Sequence, residues 1–220
     1  MPPSLSPPAR RASPAASSGR SVSWCTAELP PLDRAYHDAE WGIPVHDDRR
    51  QFEYVSLEVM QCGLSWSLML KRRAVFRRCF DRFDFRRIAK YTEKDVERIL
   101  ATKDMIRSRP KVLAIINNAR AFLRVREEFG SFSKYIWGFC GGKTILYAGH
   151  AKGRIPAANG LSAKLSADLR RRGFKFLGPV VVYSHLQACG IVNDHGDDCP
   201  RYHEILRDYP TVRKKRDAER

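Results

Sequence analysis

Residues 47–66 read DDRRQFEYVSLEVMQCGLSW, and the fold class turns on this stretch. Asp47 and Asp48 carry short acidic side chains, which accept hydrogen bonds from the free N–H groups of a first helical turn. Phe52, Val55 and Val59 follow at helical spacing. Gly63 supplies the stop, because glycine takes the left-handed turn that ends a helix at no steric cost. A second helical pattern then runs from Leu64 through Leu68 and Val75 to Phe80. Two helices therefore meet at a tight corner.

Outward from that corner the same signals recur. Thr92 with Asp95 three residues later marks a helix start before Val96, Ile99 and Leu100. Pro110 opens a long helix with Val112, Ile115, Ile116, Ala119 and Leu123 inward; proline in a first turn gives up no useful donor. Ser162 to Arg172 ends at Gly173, and Pro179 begins a helix that closes at Gly190. No sustained period-two alternation is present, so the expectation is an all-α fold, with residues 139–161 its weakest part.

The ends differ from this body. Residues 1–22 are rich in Pro, Ser, Ala and Arg with no acid, and read as a disordered tail. Such a composition also suits an organelle transit peptide, the lesser expectation. The folded domain is placed at 23–210, and 211–220 is read as a charged C-terminal tail. Six scattered cysteines without a disulfide framework or signal-peptide core point to a reducing, cytoplasmic setting. No apolar run approaches the roughly 20 residues of a membrane span.

Charge says more. Forty Lys+Arg against 24 Asp+Glu give a formal +16, which draws the chain toward polyanions. Eight basic residues stand between Lys71 and Arg87, and Lys103, Arg107, Arg109 and Lys111 crowd one turn. Between Leu100 and Lys111 two helices are joined by this short basic hairpin. Backbone N–H groups in such a turn grip a phosphate without reading sequence, although a plain connector is the commoner use.

Three constellations carry chemistry. His195 and Cys199 stand four apart, and Cys25 and His37 twelve apart. Two thiolates and two imidazoles would close a tetrahedral metal site with no open position, against the alternative of a buried thiol and surface histidines. Glu58 borders the apolar face of its helix, so its carboxylate either pairs internally or faces a cavity. Tyr36 and Trp41 offer flat walls for a planar ligand, against ordinary core packing.

These sets coincide with motifs of a known family. Tyr36-His37-Asp38-Ala39-Glu40-Trp41-Gly42, Leu57-Glu58-Val59-Met60-Gln61-Cys62-Gly63-Leu64-Ser65-Trp66 and Lys71-Arg72-Arg73 resemble DNA-3-methyladenine glycosylase I. So do Arg172-Gly173-Phe174-Lys175-Phe176 and Gln187-Ala188-Cys189-Gly190 followed by Val192-Asn193-Asp194-His195. The likeness runs in one order from about Trp24 to Cys199.

The resemblance implies a zinc-stapled enzyme of the helix-hairpin-helix superfamily that removes N3-methyladenine from double-stranded alkylated DNA, as a monomer and without strand cleavage. It implies Cys25, His37, His195 and Cys199 as ligands of one structural zinc joining the N- and C-terminal regions, remote from the chemistry. Glu58 would hydrogen-bond the extruded base, and Tyr36, Trp41 and Trp66 would enclose it. Gly63 and Leu64 would fill the gap in the duplex, and Lys103, Arg107 and Arg109 would hold a phosphate. The chain departs from the pattern at Asp33, where some members carry a tyrosine, at Cys62 in place of alanine, and at a hairpin without glycine. A metal-clipped DNA binder without catalytic activity is the competing class, which only the Glu58 pocket argues against.

Overall fold

A computed structural model describes residues 24, 25 and 27–215. The tail read over residues 1–22 lies outside the described residues. Helices account for most of the described chain: α1 Pro31–Ala39, α2 Asp48–Gln61, α3 Trp66–Cys79, α4 Phe85–Ile88, α5 Glu93–Ala101, α6 Arg109–Phe129, α7 Phe132–Gly138, α8 Gly160–Arg171, α9 Pro179–Ala188 and α10 Pro200–Asp208. No helix among the described residues is long and apolar enough to cross a membrane.

The caps explain the boundaries. The Asp47 side chain accepts from the Arg50 N–H at 2.8 Å, and Ser65 accepts from the Leu68 N–H at 3.3 Å. Asp95 reaches back to accept from the Thr92 N–H at 3.0 Å. Gly63 lies at φ +78°, the left-handed conformation that turns the chain from α2 into α3.

The central element is α2. It packs against α3, α6, α7 and α9, and every residue from Gln51 to Met60 is buried. The sequence shows one apolar face; the structure buries all faces, polar side chains included. Gln51 is satisfied by donating to the Val45 carbonyl at 2.7 Å. Glu53 accepts from Arg73 at 2.7 Å and pairs with Arg77 at 2.8 Å, while Arg73 also donates to Glu40 at 2.8 Å. Arg50 and the Tyr54 hydroxyl complete the network on Glu40.

Removing one partner from such a cluster leaves an uncompensated charge inside the protein, at a cost of about 3–5 kcal/mol. Arg73→Ala is therefore expected to lower stability by about 3 kcal/mol, read as a shift of the urea midpoint. A change under about 1 kcal/mol would show that Glu53 and Glu40 find other partners.

The fold is not wholly helical. Strand β1, Thr144–Tyr147, pairs in parallel with β2, Thr211–Lys214, in the register Thr144 to Thr211. Ile145 also donates to the Ile191 carbonyl and accepts from the Asn193 N–H. All four β1 positions are buried, so no inside–outside alternation announces it. Strand β2 falls in the stretch 211–220 read as a charged tail. Its stability comes from backbone pairing with a segment 67 residues earlier in the chain, which basic side chains do not disclose.

Candidate base pocket and metal centre

The last turn of α2, the start of α3, α1 and α9 enclose a cavity of about 420 Å³. The sequence-predicted residues Tyr36, Trp41, Glu58 and Trp66 all line it. The Tyr36 and Trp66 rings stand 5.2 Å apart. Trp24 meets Trp41 edge-on at 4.9 Å and lies 6.0 Å from Tyr36. Three tryptophans and a tyrosine thus supply flat, apolar, electron-rich walls.

Glu58 closes the cavity from α2. Its side chain is 4% exposed and has neither an ion pair nor a hydrogen bond among the described residues. Burial alone pushes its carboxyl up to about 8. Buried polar groups are nearly always paired, so one left open against a cavity marks a candidate binding group.

Other polar atoms around the cavity are also unmatched. The Tyr36 hydroxyl, the Trp66 Nε1–H and Asp33 Oδ2 are buried without a partner. Asp33 Oδ1 accepts from the Ser67 hydroxyl at 2.5 Å. Gly63 and Leu64 sit on the exposed corner beside this opening, with Leu64 40% exposed.

The hairpin joining α5 to α6 lies next to that corner. The Lys111 ammonium donates to the Met60 carbonyl at 2.8 Å and the Cys62 carbonyl at 2.5 Å, satisfying the open end of α2. Lys103 and Arg107 are exposed and carry no ion pair or hydrogen bond among the described residues. Arg109 differs, because its guanidinium is held by Glu93 and by Glu97. Of the eight basic residues from Lys71 to Arg87, four pair with carboxylates: Arg73 with Glu53 and Glu40, Arg77 with Glu53, Arg72 with Asp104 and Arg87 with Asp81.

Cys25, His37, His195 and Cys199 converge, their ligand atoms all within 4.8 Å of one another. Thiolate and imidazole ligands around one tetrahedral ion stand about 3.6 Å apart, from bond lengths of about 2.3 and 2.0–2.1 Å. His195 Nδ1 lies 3.6 Å from both Cys25 Sγ and Cys199 Sγ, and His37 Nε2 lies 3.9 Å from Cys199 Sγ. The outer nitrogens are already used: His37 Nδ1–H donates to Asp38 at 2.7 Å and His195 Nε2–H to the Trp41 carbonyl at 3.0 Å. Each imidazole is thereby left with its other nitrogen as a free ligand. These residues fit a metal ion.

This cluster is not remote from the cavity. The Trp41 ring stands 4.5 Å from the His195 ring and stacks on His37 at 5.9 Å. Gly42 makes the approach possible: at φ +78°, an added Cβ would meet His195 Nε2 at 2.7 Å. The two histidines of the cluster therefore back the Trp41 wall of the pocket.

Several lining residues were not foreseen. Trp24, Gln61, Ser67, Ile155, Ser184, Gln187 and Ala188 also face the cavity. Gln61, Gln187 and Ala188 lie inside the recognised motif blocks, which was the available signal; Trp24 and Ile155 offered none, standing alone in non-helical sequence.

Solved structures similar to this one are DNA glycosylases, and that is the class the likeness defines. One, of 3-methyladenine DNA glycosylase I from Staphylococcus aureus, superposes with a TM-score of 0.77 at 36% identity, covering 83% of this chain and 97% of its own. Another, of 3-methyladenine DNA glycosylase I in complex with 3-methyladenine, gives 0.74 at 36% identity, covering 78% and 92%. DNA-3-methyladenine glycosylase 1 of Escherichia coli K12 is 42% identical over 172 residues, 78% of this chain and 92% of that protein. The sequence model of the methyladenine glycosylase family matches residues 24–202. This chain belongs to that family.

Proposed function

We propose that the protein is a monofunctional DNA glycosylase that hydrolyses the N-glycosidic bond of N3-methyladenine in double-stranded alkylated DNA. The observation that carries this reading is the unpartnered carboxyl of Glu58, buried against a cavity walled by Trp24, Tyr36, Trp41 and Trp66. The Staphylococcus aureus relative, whose structure addresses recognition of 3-methyladenine, supports it.

Methylation at N3 makes the nucleobase cationic and weakens its bond to the sugar. Such a base leaves without being protonated first, so the pocket's task is to extract and hold it. Extrusion costs a few kcal/mol of stacking, returned in part by the aromatic walls, which attract a desolvated cation by about 2 kcal/mol. Glu58 then acts by charge. A neutral adenine gives the buried carboxyl no reason to ionise, whereas a cationic one draws the proton off and gains a charge-assisted hydrogen bond through its amino group. Water adds to C1′, the C1′–N9 pair of electrons returns to the ring, and a proton is released.

Gly63 and Leu64, on the exposed corner, are placed to fill the duplex where the base has left. In the helix-hairpin-helix grip, Lys103 and Arg107 would hold phosphate, while Arg109 braces the hairpin through its two glutamates. Zinc is the proposed metal, held by Cys25, His37, His195 and Cys199, joining the N- and C-terminal regions and supplying structure rather than a reactive water. A monomer acting in the cytoplasm or on a nucleoid completes the reading.

Incubation with methylated DNA, followed by chromatography of the released bases, is expected to yield free N3-methyladenine with the strand left uncut. Absence of the free base would reject the reading, and strand breaks arising without heat or alkali would reject its monofunctional part.

A further inference from the structure

We propose that Asp33 is a second base-reading carboxylate, and that it extends excision to cationic alkylated guanines such as N7-methylguanine. This rests on the glycosylase reading above and concerns the same cavity.

Asp33 sits in the first turn of α1, one helical turn before Tyr36, and is 4% exposed. Both Asp33 and Ser67 line the cavity. The Ser67 hydroxyl holds Oδ1 at 2.5 Å, fixing the carboxylate plane, while Oδ2 is buried without a partner. Two buried carboxyl groups thus border the cavity, Glu58 without a partner and Asp33 with one of its two oxygens unpaired, where a single acceptor would serve adenine. Asp33 reaches the cavity from α1 and Glu58 from α2, so the two groups border it from different elements.

The purines differ in what they offer two such groups. On its pairing edge adenine presents one amino group beside a ring acceptor. Guanine presents N1–H beside the amino group at C2, both of which donate to a carboxylate, and a carbonyl at C6. An ionised Glu58 would repel that carbonyl; a protonated one donates to it. Asp33 then takes the guanine N–H and balances the ring's positive charge. Alkylation at N7 likewise makes the ring cationic and weakens its bond to the sugar. Hydrolysis balances identically: water forms the C1′–O bond, the C1′–N9 electrons neutralise the ring, and one proton goes to solvent.

The test uses DNA methylated with dimethyl sulfate, which carries both N7-methylguanine and N3-methyladenine. Released bases are quantified by chromatography after subtracting spontaneous loss. The full chain is expected to release both, and Asp33→Asn to lower the ratio of N7-methylguanine to N3-methyladenine at least tenfold. Taking the ratio within one preparation removes any effect of partial folding. An unchanged ratio, or release of N3-methyladenine alone by the unsubstituted chain, overturns the role of Asp33. Release of neither base rejects the glycosylase reading, and this inference with it.

Discussion

Glu58→Gln is expected to slow excision of N3-methyladenine a hundredfold or more while leaving the protein at least as stable as before. The substitution keeps shape and hydrogen-bonding capacity but removes the charge that answers a cationic base. Losing one such charge-matched contact in a water-excluded site costs about 2.7–4 kcal/mol of barrier.

Stability runs the other way. Burial holds the Glu58 carboxyl at about 8, against 4.5 for an ordinary glutamate. Between those pH values the folded chain keeps a proton that the unfolded chain has lost. The resulting stabilisation is complete below pH 4.5, falls by about 1.4 kcal/mol per pH unit through the window, and is gone above pH 8. Glutamine lacks that slope. Urea unfolding at pH 5 and pH 8 should show it in the wild type and not in the variant. Excision by the wild type should rise toward pH 8 as the carboxyl ionises, and the residual activity of the variant should be flat. Undiminished base release by Glu58→Gln would remove the carboxyl from the mechanism.

Metal removal is the second large effect. Stripping the ion with a chelator, or Cys199→Ser, is expected to lower the melting temperature by about 10 °C. A loss of about 3 kcal/mol, well below the 10–16 kcal/mol of isolated zinc peptides, produces that shift in a chain of this length. Here a large core remains when the cluster opens. Base release should fall alongside stability, because the Trp41 carbonyl and ring both rest on His195. One metal ion per chain by elemental analysis, with melting scans before and after chelation, reads this directly. Identical melting in both states, with no metal found, would remove the ion from the fold.

Local rules made the helices legible. Asp47, Ser65, Thr92 with Asp95, and Gly63 act within four residues of their own helix ends, so sequence spacing suffices. What stayed hidden is non-local. Strand β1 is an apolar run without alternation, and its partner lies among basic residues near the chain end. Arg109 reads as part of a phosphate grip because its neighbours are basic, yet Glu93 and Glu97 lie one helix earlier. The cavity was visible through motif resemblance at Tyr36, Trp41, Glu58 and Trp66. Asp33 stood out only as a departure from the pattern, and its hold on Ser67 depends on how α1 meets α3.

Lys111 links two parts of the molecule that sequence keeps 50 residues apart. Its ammonium ties the first turn of α6 to the carbonyls that end α2, the helix carrying Glu58. On the proposed reading, the hairpin clasping the backbone and the slot inspecting the base become two marks on one ruler. Their separation is set before DNA arrives, so the nucleotide offered for inspection is chosen by counting along the strand from the clasp.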